Sequence, residues 1–313
     1  MLSGNTIAKK IQISFKTTFS VENLKLIKKY KAIYVMMLPV LLYFIVFSYY
    51  PLILGLIQSF QKSQLIGNPT FNGIQNYVDL FNDYQFRQAF VNSFTIGAGT
   101  QITVFVFALI LALGINEVRF KFVKTSIQTV SYLPNLFSWT VVGGMWVTIL
   151  SSNGMLNGFL NLLGQPSVQF MADRNCAKLI MILTGAWKDM GYYALLFLAS
   201  LVSIDGSIYE AAQIDGATRI RQITNITVPE LIPTMKIIII LATMGFLRNF
   251  DQVFVMENSM ILDKIRTLLL YIYTEGILQF KVGVATSAAT VVLVTTIVIT
   301  SIVRKLIRYD ENY

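Results

Sequence analysis

Ionisable groups stand where the chain is otherwise most apolar. Lys188 and Asp189 interrupt the run LIMILTGAWKDMGYYALLFLASLV, and Arg248 and Asp251 interrupt MKIIIILATMGFLRNFDQVFVM. A charge inside a membrane span costs several kcal/mol unless it faces a cavity or a partner, so such groups mark functional sites by default. Trp187, Tyr192 and Tyr193 surround the first pair; Asn249, Phe250 and Gln252 surround the second. Aromatic faces beside amides and charges are the mix that lines small-molecule sites. Counted from the outer ends of their runs at about 1.5 Å per residue, Lys188 lies roughly 15 Å deep and Arg248 roughly 13 Å deep. A structural alternative stands beside this substrate-path reading. Arg248 and Asp251, spaced i, i+3, could neutralise each other, and Lys188 could pair across helices with Asp251. Lys188 or Arg248 could also receive the carboxylate of an acidic substrate. Asn135 and Trp139 in a third apolar run, with Trp146, complete the candidates, although tryptophans near span ends commonly anchor at the interface.

The chain has no histidine and one cysteine, Cys176. Metal sites built on Cys and His, Ser-His-Asp triads, Cys-His nucleophiles and an intrachain disulfide are therefore excluded. No G-x-x-x-x-G-K-[ST] motif occurs, so the chain is not expected to hydrolyse ATP. No metal or cofactor is expected on it.

The elements that must position these groups follow from charge-free runs. Of 313 residues 55% are hydrophobic and 13% charged, about half the charged share of a soluble domain; mean hydropathy is +0.61. Thirty uncharged residues separate Lys31 from Lys62, 29 separate Arg87 from Glu117, 48 separate Lys124 from Asp173 and 22 separate Lys281 from Arg304. A span needs about 20. With the two charge-interrupted runs, an all-α integral membrane protein of six transmembrane helices is expected, near 34–58, 90–114, 129–150, 179–202, 234–256 and 283–303. With the N-terminus inside, 16 of the 25 lysines and arginines fall on the cytoplasmic side and 7 outside, so N-in/C-in topology is expected. The net charge of +9 thus reflects membrane topology rather than nucleic-acid binding. Residues 1–31 read as a basic, weakly amphipathic segment lying on inner-leaflet lipid, residues 32–303 as the membrane domain and 304–313 as a cytoplasmic tail.

The cytoplasmic loop 203–233 reads SIDGSIYEAAQIDGATRIRQITNITVPELIP. Glu210, Ala211 and Ala212 favour a helix that Asp215-Gly216 stops, glycine suiting the left-handed residue past a helix end. A second short helix follows, with Ile220, Ile223, Ile226 and Val228 apolar and Arg219 and Arg221 polar; Pro229 and Pro233 then break the chain. Such a helix fits a groove in a partner, or simply packs on the inner ends of its own spans.

Glu210-Ala211-Ala212, Asp215-Gly216-Ala217, Ile226, Pro229, Leu231 and Pro233 resemble the EAA motif of binding-protein-dependent ABC importer permeases. The pattern departs at Ile223, usually aromatic, and at Val228, usually leucine, both still apolar. LPVLLYFIVFSYYPLILGLIQSF and LPNLFSWTVVGGMWVTILSSNGMLN resemble the maltose/lactose-type carbohydrate permeases, above all the LplB-type permeases of complex oligosaccharides and polysaccharides. The resemblance implies a type I ABC importer permease in the bacterial plasma membrane. In it, Glu210 to Ala217 shape a coupling loop and Ile220, Ile223, Ile226 and Pro229 meet a separate ATPase dimer, which holds Mg-ATP. It further implies a second, homologous permease, an extracellular solute-binding protein docking on the outer loops, and an oligosaccharide substrate moved by alternating access. A permease for a non-sugar solute shares the EAA loop, and an ATP-independent secondary transporter is the rival of another class; the latter would show an inverted repeat, and none is evident.

Overall fold

A computed structural model describes residues 28–62 and 68–307, so most of the basic N-terminal segment and of the C-terminal tail lie outside the described residues. The chain forms two compact units, divided between Ile57 and Gln58. The first holds most of α1 (Lys31–Ser59), an apolar helix that carries Pro39 and a π turn at Ile45–Tyr49.

The second unit opens with a two-stranded antiparallel hairpin, β1 (Gln61–Lys62) and β2 (Thr70–Phe71), then α2 (Gln75–Asn82). The long α3 (Tyr84–Glu117) follows, its first turn capped by the Asp83 carboxylate, which accepts from Gln85 N. Ala89, Ser93, Gly97, Thr100, Val104, Ala108, Ala112 and Ile115 are buried along it at spacings of three and four. That is one helical stripe, and its small residues allow close approach where no hydrophobic force drives helices together. α7 (Ala177–Val202) packs along it, with Phe197, Leu198 and Leu201 closing on Ala108, Ala112 and Ile115.

Between these two helices the chain forms α4 (Lys121–Leu136), α5 (Trp139–Ile149) and α6 (Met155–Leu162). Beyond α7 come α8 (Gly206–Ile214), α9 (Arg219–Glu230), α10 (Ile232–Gly245), α11 (Asp251–Met256), α12 (Leu262–Ile265), α13 (Leu268–Leu278) and α14 (Val282–Leu306). The only sheet among the described residues is the small hairpin.

Among the described residues three helices, α1, α3 and α14, are long and apolar enough to cross a membrane alone, and up to five spans result if each bent pair is one. The bent pairs are α7 with α8, at 69°, and α9 with α10, at 57°. The expected single helix at 129–150 is corrected to two: Phe137 and Ser138 are extended (ψ 148° and 156°) and part α4 from α5. The expected helix at 234–256 is likewise divided, between Gly245 and Asp251. Each division coincides with the polar residues singled out above. Backbone freed from a helical ladder must find partners: the Asn135 carbonyl accepts from Lys188 at the first division and the Asn249 carbonyl from Thr267 at the second.

Candidate functional site

At the first division one buried lysine does the joining. Lys188 is 6% exposed, and its Nζ donates to the Asn135 carbonyl at 3.0 Å while lying 5.6 Å from the Trp139 ring centre. Asn135 sits in the last turn of α4 and Trp139 opens α5, so one ammonium touches both sides of the break. The Asp189 carboxylate accepts from Asn135 Nδ2 at 3.0 Å. Carbonyls at a helix C-terminus lack ladder partners and carry partial negative charge, which suits a cation there; the Trp139 face adds roughly 0.5–2 kcal/mol. One turn along α7, a side chain at Gly191 would collide with the Ser131 carbonyl oxygen of α4. Trp187 meets Trp146 edge-on at 5.4 Å, and Tyr192 meets Tyr193 at 5.3 Å.

The second division is held by amides. Gln252, 1% exposed, donates through Nε2 to the Met181 carbonyl (2.7 Å) and to Thr184 Oγ1 (2.8 Å) on α7. Its Oε1 accepts from Asn249 Nδ2 at 2.8 Å, and the Asn249 carbonyl accepts from Thr267 Oγ1 at 2.7 Å. Arg248 and Asp251 are exposed. Among the described residues, neither the Arg248–Asp251 pair nor the Lys188–Asp251 pair forms. The two pairings offered by the structural alternative are corrected accordingly: Lys188 is satisfied instead by a carbonyl and a ring that the break between α4 and α5 provides. Arg248 lines a hollow of about 360 Å³ with Met244, Leu269, Ala289 and Thr296. Of the candidates, Asn135, Trp139, Lys188 and Asp189 form one cluster and Asn249 and Gln252 another.

The 203–233 loop is built as its residue types dictate. Asp205 caps α8 by accepting from Ser207 N at 2.9 Å, and these hydrogen bonds hold its carboxyl below the usual carboxylate range. Glu210, Ala211 and Ala212 lie within α8. Past Asp215, Gly216 adopts φ +74°; its N–H reaches the Gln213 carbonyl (3.0 Å) and Ala217 N–H reaches the Ala212 carbonyl (2.9 Å). This is a Schellman closure, and it explains why Asp-Gly-Ala follows the helix. Pro233 stands in the first turn of α10, where a missing N–H is harmless, and Pro229 follows a π turn at Ile223–Thr227 near the end of α9, so the chain bends at Leu231 rather than breaking.

The expected apolar side of the second helix splits. Ile223, Ile226 and Val228 are half-buried, whereas Ile220 is 75% and Ile214 88% exposed. Ile214, at the last position of α8, was missed in the sequence, as were four residues that seat the loop. Arg219 forms a bidentate pair with Glu117 at the end of α3. Gln222, buried, accepts from Arg219 Nη1 and donates to the Ala217 carbonyl. Tyr209 OH and Thr227 Oγ1 lie 2.9 Å apart. Glu117 was findable as an acid ending a charge-free run; the others carry no local signal.

On the other side, the Asn258 amide donates to the Met171 carbonyl at 2.7 Å and Arg174 pairs with Asp263, joining the loops at 151–177 and 257–282.

Residues 104–308 match the family model for binding-protein-dependent transport system inner membrane components. Protein LplB of Bacillus subtilis (strain 168) is 32% identical over 257 residues, 81% of each chain. The polygalacturonan/rhamnogalacturonan transport system permease protein YteP of the same organism is 28% identical over 270 residues, 84% of this chain and 83% of that one. In the crystal structure of a bacterial alginate ABC transporter in complex with an alginate pentasaccharide-bound periplasmic protein, one chain superposes with a TM-score of 0.85. It is 30% identical, with 92% of this chain and 98% of that one covered.

Proposed function

The chain belongs to the binding-protein-dependent transport system inner membrane component family, a multi-pass bacterial membrane protein, and from that premise we propose that it is the permease subunit of an ATP-driven importer of oligosaccharides or polysaccharide fragments. Its spans are six, the third made of α4 and α5 and the fifth of α10 and α11, with both termini in the cytoplasm. A second, homologous permease completes the path, an extracellular solute-binding protein delivers substrate to the outer loops, and a separate ATPase dimer holds Mg-ATP.

The observation that carries the reading is the Schellman-closed loop, with Gly216 left-handed and Ile214 and Ile220 presented outward. Two exposed isoleucines flanking a hydrogen-bonded turn suit a hydrophobic cleft in a partner. Closure of the ATPase dimer draws two such loops together and switches the path between outward and inward access. Substrate passes the membrane midplane beside Trp187, Tyr192, Tyr193, Arg248 and Asp251, in a frame held by Asn135, Trp139, Lys188, Asp189, Asn249 and Gln252. The names of relatives, a polygalacturonan/rhamnogalacturonan permease and an alginate transporter, favour an oligosaccharide over other solutes.

The test is reconstitution of the four components in proteoliposomes with a panel of neutral and acidic oligosaccharides. ATP-dependent uptake of at least one sugar is expected, and loss of it in Ile214→Asp and Ile220→Asp. Uptake that persists with a hydrolysis-dead ATPase would overturn the coupling, and stimulation only by an amino acid or ion would overturn the substrate class.

A further inference from the structure

A lysine at membrane depth needs either water or partners, and Lys188 is closed off with partners on both sides of a helix break. The Asn135 carbonyl lies beyond the helical ladder because Phe137 and Ser138 are extended, and Lys188 Nζ supplies its hydrogen bond at 3.0 Å. The same ammonium lies over the ring of Trp139, the first residue of the next helix. Asp189 holds the Asn135 side chain from the adjacent position, and the bare backbone at Gly191 lets α7 press against Ser131 and Tyr132 one turn away. Three nearby residues of α7 thus engage the end of α4 by three different contacts.

We propose that Lys188 and Asp189 are positioning residues that set the break between α4 and α5, and so the shape of the transport path, without contacting the substrate. The inference rests on the importer reading above. It assigns Lys188 a role that neither a substrate-binding cation nor a surface charge would play. The ammonium acts on a backbone carbonyl, so the Asn135 side chain is the lesser half of the grip.

The distinguishing experiment uses the complete reconstituted transporter with Cys176 replaced by Ser and a cysteine introduced at Ser138, which is exposed within the break. Wild-type uptake in this background, dependent on ATP, separates failure of the importer reading from failure of this one. Lys188→Met is expected to lower the maximal uptake rate of every transported sugar by about tenfold, the scale of a lost charged hydrogen bond, with KM unchanged and the maleimide labelling rate at position 138 altered. Lys188→Arg is expected to restore most of both, and Asn135→Ala to cost less than Lys188→Met. Should Lys188→Met fail to assemble, Lys188→Gln carries the test, because it keeps a donor for the carbonyl and is expected to retain labelling and partial uptake. A raised KM confined to one class of sugar, with labelling unchanged, would make Lys188 a substrate ligand and overturn the proposal. Unchanged uptake and labelling in Lys188→Met would overturn it as well.

Discussion

Arg219 grips Glu117 with both arms of its guanidinium, Nε at 2.9 Å from one carboxylate oxygen and Nη2 at 2.9 Å from the other. The pair joins the 203–233 loop to the last residue of α3, the helix along which α7 is packed. A carboxylate at a helix C-terminus is opposed by the helix dipole, so the arginine offsets a local cost. Arg219→Lys keeps the charge and loses the fork. Both side chains are about half exposed, so the pair contributes only about 0.2–1 kcal/mol to stability and the melting temperature should hardly move. ATP-driven uptake should nevertheless fall several-fold, and exchange of the two residues (Glu117→Arg with Arg219→Glu) should recover part of it. Normal uptake in Arg219→Lys and Arg219→Ala would show that the loop needs no strut to α3.

Gly216 is the second point at which backbone geometry decides the loop. At φ +74° an L side chain costs roughly 1–2 kcal/mol, most for a β-branched residue. Gly216→Val should therefore loosen the Ala217-to-Ala212 closure and weaken co-purification of the ATPase, while Gly216→Asn, which tolerates this region, should do so mildly. Equal retention of ATPase by both variants would count against the docking role.

These loop features show what was legible in the residues and what was not. Glu210-Ala211-Ala212 and Asp215-Gly216 act locally, through helix propensity and a left-handed stop, and local physics is written in local sequence. The apolar runs at 34–58, 90–114, 179–202 and 283–303 emerge as helices for the same reason. The breaks at Phe137–Ser138 and Phe246–Phe250 are marked only by polar residues, Asn135 and Ser138 at the first and Arg248 and Asn249 at the second, because no charge interrupts the first and the second is stabilised by partners far along the chain. Gln252 reaches Thr184 and Met181 across 68 and 71 residues, and Lys188 reaches Asn135 across 53. Polar residues in apolar runs were legible as sites, but which of them faces inward depends on that long-range packing.

Asp205 gives a pH test of the loop. Its carboxyl is held low by the Ser207 backbone N–H and then by the Ser207 hydroxyl. A depressed folded value means that the cap's contribution is fully present above the ordinary carboxylate range and disappears as pH falls through the lowered value. Amide exchange at the start of α8 should therefore be flat from pH 8 to pH 5, after correction for intrinsic rates, and accelerate in strong acid. Asp205→Asn, still a good cap, should abolish the acid phase with little change at neutral pH, whereas Asp205→Ala should accelerate exchange throughout. An acid phase that survives in Asp205→Asn would assign it to another group.

Gln252 tests the frame. Gln252→Leu deprives Asn249 Nδ2 of its acceptor and removes the cross-helix bonds to Thr184 and Met181. An orphaned buried donor costs about 1–3 kcal/mol, so purified protein in detergent should unfold at measurably lower denaturant or temperature. A variant as stable as wild type would mean that the division before α11 is held by Thr267 and apolar packing alone.

Arg248 tests the choice of sugar. It stands at the second break, exposed, and no ion pair forms to it among the described residues, while Lys188 is committed to Asn135 and Trp139. A guanidinium at membrane depth gains most from a planar anion that meets its fork, and the carboxylate of a uronate is such an anion. Arg248→Met is accordingly expected to reduce uptake of uronate-containing oligosaccharides several-fold while sparing neutral ones of the same length, measured side by side in proteoliposomes. Arg248→Lys should fall between, because a point charge attracts the carboxylate without matching its geometry. Equal loss for both sugar classes would instead place Arg248 in the contact with the second permease, and equal retention would remove it from the path.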